Sequence, residues 1–197
     1  PFHLWSENTS FQNELALHSE QVDGWEIQIP GSHWPSEALY NSLSLFRGSI
    51  PIALASVVPG KREAGKQHPR TRVGYPVECL TELNERLSSL DITVDRALCR
   101  ISGESIWDQM VELSKLASFK NISRIDISFE VNSLDDPYCS AIAAEALFAK
   151  ALLPDTYIYY QPLIDFDRTM DVSHGLLDTL CNPRPAFHVL RCLNTIL

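Results

Sequence analysis

Glu130 closes the apolar run Arg124–Val131 (RIDISFEV), and a carboxylate there is costly unless it is paired or put to use. Its chemistry is therefore catalytic or ligand-binding, or else that of a structural carboxylate held by a cation. A second group of candidates lies in Gly24–Pro35 (GWEIQIPGSHWP), where Trp25, Glu26, His33 and Trp34 gather around a Pro-Gly turn. Aromatic faces of this kind pack against the apolar faces of sugar rings, and they also fill cores. Tyr160 and Gln161 alternate along Tyr157–Ile164 (YIYYQPLI), which places one tyrosine of the Tyr159–Tyr160 pair toward the interior. Asp165 and Asp167 follow and suit sugar hydroxyls, with Arg168 beside them as an alternative ion-pair partner. The segment Gly60–Pro76 concentrates Lys61, Arg62, Lys66, Arg70 and Arg72 in an acidic protein. Arg70 and Arg72 are placed to clamp a phosphate, sulfate or uronate, against the alternative of a solvated loop. The six histidines form no H-x-x-x-H or H-x-H pair, so no metal site is expected, and nothing calls for an organic cofactor.

These residues need a scaffold, and the chain supplies one of short β-rich runs alternating with amphipathic ones. Strands are predicted at Gly24–Pro30, Ile50–Val58, Val94–Ile101, Arg124–Val131 and Tyr157–Ile164, with the end of a sixth at Phe2–Trp5. Ile50–Val58 (IPIALASVV) is apolar throughout, as expected of a strand covered on both faces. Helices are predicted over Ser36–Phe46, Val77–Leu90, Glu104–Phe119, Pro137–Leu153 and Pro185–Ile196. The second carries Leu80, Leu83, Leu87 and Leu90 on one face. Strands alternating with helices imply parallel βαβ units in one α/β domain over residues 1–197. No glycine-rich phosphate turn follows any strand, which argues against a nucleotide-binding sheet.

The 197 residues suffice for one core. A net charge of −9 argues against nucleic acid or an anionic membrane surface as partner. No apolar run reaches the ~18–20 residues of a membrane span. Five cysteines cannot all pair within the chain and are expected as small buried hydrophobes. Asn8-Thr9-Ser10 and Asn121-Ile122-Ser123 match the glycosylation sequon, a pattern short enough to arise by chance.

The last third carries an ordered series: Asp126–Glu130 (DISFE), the helix through Ala141–Leu153, TYIYYQPLID, His174–Asp178 (HGLLD) and Asn182–Phe187 (NPRPAF). Over about 70 residues it resembles the end of clan A (β/α)8 retaining glycoside hydrolases. The resemblance implies a TIM-barrel-like α/β fold in which Arg124–Val131 is the seventh strand, with Glu130 as nucleophile, and Tyr157–Ile164 the eighth. Counting back makes Gly24–Pro30 the fourth strand, which in the family bears the acid/base glutamate in a W-E-x-W-N-E-P pattern. Trp25-Glu26 match its start and Pro30 its end, but Ile29 stands at the glutamate and Gln28 at the asparagine. Glu7, in Trp5-Ser6-Glu7-Asn8, echoes the same motif and is the alternative acid/base. If Phe129 rather than Glu130 aligns with the nucleophile, that carboxylate is missing as well.

The resulting expectation is a glycoside-hydrolase-like barrel acting on or binding a carbohydrate. The alternatives are a non-catalytic barrel that binds a sugar or protein, and another TIM-barrel enzyme holding an anionic substrate with the loop over 60–76. Strands one and two have no counterpart, so the barrel is expected to be incomplete, with about six parallel strands. Such a sheet exposes edges that need cover. The chain is accordingly expected to be part of a longer polypeptide or to form a homodimer along an open edge.

Overall fold

The computed structural model describes residues 17–18, 21, 23–30, 34, 37, 51–59, 71–102, 105–116, 119–131, 133, 135–164 and 175–196, with the side chains at 30, 58, 59, 71, 72, 102 and 130 left aside. Its strands are β1 (Trp25–Pro30), β2 (Ile52–Pro59), β3 (Thr71–Val73), β4 (Tyr75–Pro76), β5 (Val94–Ser102), β6 (Ile122–Glu130) and β7 (Ile158–Gln161). Its helices are α1 (Leu80–Ser89), α2 (Ile106–Leu116), α3 (Asp136–Ala149) and α4 (Pro185–Ile196). The sheet runs in the order β1-β2-β5-β6-β7, and every pair on that path is parallel. This is the α/β alternation read from the sequence, with five of the six expected parallel strands among the described residues. The sixth, Phe2–Trp5, lies outside them, as does the helix expected over Ser36–Phe46 apart from Glu37.

The core lies between the sheet and its helices. Ile27, Leu54, Ala97 and Ile125 come level across four strands and are all buried. Leu80, Leu83 and Leu87 of α1, Met110 and Leu113 of α2 and Ile142 of α3 cover that side at helical spacing. A fully buried leucine such as Leu83 contributes about 2–3 kcal/mol through area removed from water. Local signals set the helix ends. The Asp135 side chain accepts from the Tyr138 backbone N–H and starts α3, and Pro137 sits in its first turn, where a missing N–H costs nothing.

Between β2 and β5 the chain makes an excursion that the sequence did not suggest. Over Val57–Pro59, β2 turns away to pair antiparallel with β3. β4 then takes its place against Cys99 and Arg100 of β5. Gly74 joins the two short strands at φ +105°, and its N–H donates to the Ser56 carbonyl at 2.7 Å. A Cβ at this position would stand 2.9 Å from the Arg100 backbone nitrogen, so glycine is required by conformation and by space.

Two expectations need correction. Cys99 and Cys139 are buried, but Cys181 and Cys192 are exposed and Cys79 is intermediate, so the cysteines are not uniformly core residues. Asn121 is buried, its amide donates to the Ile92 carbonyl at 2.7 Å, and its backbone N–H is bound by Asn84 Oδ1 at 3.0 Å. In the folded chain it is a structural residue closed to glycosylation. No described helix is long and apolar enough to cross a membrane.

Candidate functional site

Strand side chains alternate between two faces, and parallel register keeps partners on the same face. Ile127 and Phe129 are buried toward the helices, where Phe129 meets Tyr160 edge-on at 5.3 Å. Asp126 and Ser128 therefore lie on the opposite, concave face, and position 130 shares their parity. Phe129 is thus a core residue. Glu130 is the last residue of β6, level with Ser102 of β5 and Gln161 of β7. Its backbone thus stands at the C-terminal end of a central parallel strand, the end at which barrel sites are built.

Arg96, Asp126 and Tyr157 occupy the concave face. Arg96 Nη1 donates to both carboxylate oxygens of Asp126, at 3.0 and 2.9 Å. The Tyr157 backbone N–H donates to the same carboxylate at 3.2 Å, and the guanidinium lies 4.6 Å from the centre of the Tyr157 ring. One carboxylate thereby ties β5, β6 and the start of β7. Tyr159 follows on the same face, level with Ser128. Burial raises its hydroxyl pKa, and the negative charges of Asp126 and then Glu26 add to the rise, with Arg96 opposing. Glu26 belongs to β1 and Tyr159 to β7, the two ends of the five-strand path. In a barrel wall, whose helices lie outside, the face opposite the helices is the inner, concave side, here the trough.

The candidate residues divide between the two faces. Glu26 is exposed on the concave face and accepts from Gln28 Nε2 at 2.8 Å. Ile29, which the motif overlay sets at the acid/base position, is 5% exposed in the helix-side core. The overlay therefore points away from the trough, and the concave row of β1 carries Glu26 and Gln28 instead. Trp25, of the same parity as Ile29, is partly buried against the core. Trp34 stacks on buried Tyr75 with centroids 6.0 Å apart and planes at 7°. Tyr75 is level with Cys99, so this stack also belongs to the helix side. Tyr160 lies there too, in a cleft of about 210 Å³ with Phe129, Ala146, Leu147 and Leu190. The tyrosine that faces the concave side is Tyr159. Gln161 ends β7 beside position 130, ahead of a cis bond to Pro162.

Arg72 lies in β3, opposite Val58. The basic loop leaves from the C-terminal end of β2, on the same side of the sheet as position 130. Arg70, Glu7, His33 and Asp165 lie outside the described residues. Among the described residues no group of three His, Cys, Asp or Glu could hold a metal ion. Sequence reasoning missed Arg96, Asp126, Tyr157, Tyr159 and Gln28. The alternation within YIYYQ was visible, but its phase is fixed only by pairing with β6.

The closing HGLLD…NPRPAF series proves architectural. The Asp178 carboxylate accepts from the N–H groups of Leu180 and Asn182, both at 2.8 Å, and from the Asn182 amide at 2.9 Å. These bonds, those from Asn182 first, hold its pKa below the ordinary value. The Arg184 N–H donates to the Leu176 carbonyl at 2.9 Å, and its guanidinium reaches Asp136 of α3 at 3.5 Å. Together they set the entry of α4.

No family model matches the chain, and no curated protein matches it significantly. Among solved structures it is similar to a GH39 β-xylosidase from Caulobacter crescentus, with a TM-score of 0.60 and 13% identity. The match covers 94% of this chain and 45% of that one, so the chain spans less than half the length of the structure it resembles. At this identity the likeness shows the fold alone, an α/β arrangement of the TIM-barrel type.

Proposed function

We propose that the chain is a glycoside-hydrolase-like barrel that binds a carbohydrate at the C-terminal ends of its strands. Glu130 is the nucleophilic carboxylate in this reading and Glu7 its acid/base partner. The observation that supports it is the position of Glu130, at the end of β6 on the concave row, in a sheet that resembles a GH39 β-xylosidase. Glu130 attacks the anomeric carbon and forms a glycosyl ester while the protonated Glu7 gives its proton to the departing oxygen. Glu7 then takes a proton from water as that water attacks the ester and frees Glu130. The two carboxyl groups must stand about 5–5.5 Å apart for this route.

Turnover of aryl glycosides tests the proposal. Glu130→Gln should abolish it. Glu7→Gln should slow substrates with poor leaving groups far more than those whose leaving group needs no proton. The burial of Ile29 favours a second reading, a barrel that binds sugar without cleaving it. Oligosaccharide binding with no turnover of any aryl glycoside would select that reading over the first.

A further inference from the structure

A nucleophilic carboxylate must be ionised and aimed when it attacks, yet the floor below position 130 is closed. Ala55 of β2, Leu98 of β5 and Ser128 of β6 are all buried on the concave face. A carboxylate standing over such a floor loses water on one side, which favours its protonated form. A cation within about 4–6 Å reverses that preference.

Three arginines share the concave row. Arg96 and Arg124 are level with one another, six residues below Glu130, which is about 20 Å along the strands. Arg96 is also committed to Asp126. Buried Leu98, level with Asp126, separates that pair from Arg100. Arg100 is level with Ser128, one strand across from Glu130 and two residues short of it, which sets the two Cα atoms about 8 Å apart. Extended arginine and glutamate side chains together span that distance. Arg100 is half-buried with its Nη1 shut off from water, and a guanidinium keeps its charge at any working pH. Burial raises the Cys79 thiol pKa, Glu78 and Glu82 add to the rise and Arg100 opposes it, so both acids share the neighbourhood of Arg100. Both are exposed, where water screens their charge.

Resting on the catalytic reading above, we infer that Arg100 is the positioning residue for Glu130. Its guanidinium donates to the Glu130 carboxylate from the β5 side, holding it ionised and turned toward the anomeric carbon. The two arginines of β5 thus divide their work: Arg96 ties strands through Asp126, and Arg100 serves the site.

The test follows Glu130 itself in the chain labelled with ¹³C at the glutamate carboxyl carbon, its signal assigned by its loss in Glu130→Gln. In the parent it should titrate below the ordinary value of about 4.3, and in Arg100→Ala about one to two units higher. The acid limb of kcat/KM for aryl glycosides should move up with it, and the rate at neutral pH should fall by up to about a hundredfold. Arg100→Lys keeps the charge without the fork, so it should restore the acid limb while recovering only part of the rate. Arg100→Gln, which keeps much of the stem, serves in place of Arg100→Ala should that variant fail to fold. Turnover that requires Glu130, with its titration and the acid limb unmoved when the Arg100 charge is removed, would overturn the positioning role and leave the catalytic reading standing. A parent chain that turns over no aryl glycoside would overturn both.

Discussion

Changing Asp126 to asparagine removes one charge and almost no volume, which isolates what the carboxylate contributes on the concave face. The side chain is 5% exposed and accepts two hydrogen bonds from Arg96 and one from the Tyr157 N–H. Asparagine can keep the bond to Tyr157 through its oxygen, but it turns an amide NH₂ toward the guanidinium. Hydrogen bonds to charged groups are worth about 1.5–3 kcal/mol each, and breaking a fully buried pair costs about 3–5 kcal/mol. The Arg96 side chain is 23% exposed and can recover some hydration, so the expected loss is about 2–4 kcal/mol. With a urea slope of about 2 kcal/mol/M, the unfolding midpoint should fall by about 1–2 M at unchanged slope. Hydrogen exchange at the Tyr157 amide should quicken in parallel. Replacing both partners, Arg96→Met with Asp126→Leu, should cost less than the two single changes added together, because no charge is left unpaired. A midpoint for Asp126→Asn within about 0.3 M of the parent, or strict additivity in the double variant, would refute the reasoning.

Three further outcomes follow from the geometry. Asp178 has a depressed pKa, so its contribution is present at neutral pH and is lost as acid carries the pH down through the folded-state value. The amides of Leu180 and Asn182 should therefore titrate together with a midpoint below the ordinary 3.8, and Asp178→Asn should abolish that titration. Under native conditions a thiol reagent should label Cys181 and Cys192 promptly and Cys99 and Cys139 only after unfolding, since burial covers the latter two and pushes the Cys99 thiol pKa up. Gly74→Ala should cost about 2–4 kcal/mol in denaturant melts, from the left-handed backbone and from a Cβ pressed against Arg100.

Periodic features were legible in the sequence because each is a local property. The Leu80-Leu83-Leu87 stripe marks α1, and the apolar run over Ile50–Val58 marks a strand with Leu54 and Ala55 both fully buried. Pro185–Ile196 was placed to the residue, since Pro185 can only begin a helix that its neighbours continue. Features decided by pairing were not legible. β3 and β4 are three and two residues long and exist only as partners of β2 and β5. Tyr159 and Tyr160 are indistinguishable until register with β6 assigns Tyr160 to Phe129. Asp126 reads as one polar residue in an alternating strand, and its partner Arg96 lies 30 positions away. For the same reason the motif overlay at Ile29 gave a sequence position without its face, and the face turned out to be the core.

The β2–β3 excursion has an evolutionary consequence. Because β4 resumes the pairing with β5, and Gly74 is pinned to Ser56, both ends of the intervening segment are anchored independently of what it contains. Its length and charge can drift without shifting the register of β5, and loop-closure entropy penalises such growth only slowly. Four of the five cations, Lys61, Arg62, Lys66 and Arg70, thus belong to an exchangeable stretch of sequence, and Arg72 belongs to its β3 anchor. Related chains should vary there first, changing what the rim of the barrel attracts while the wall that carries Glu130 stays as it is.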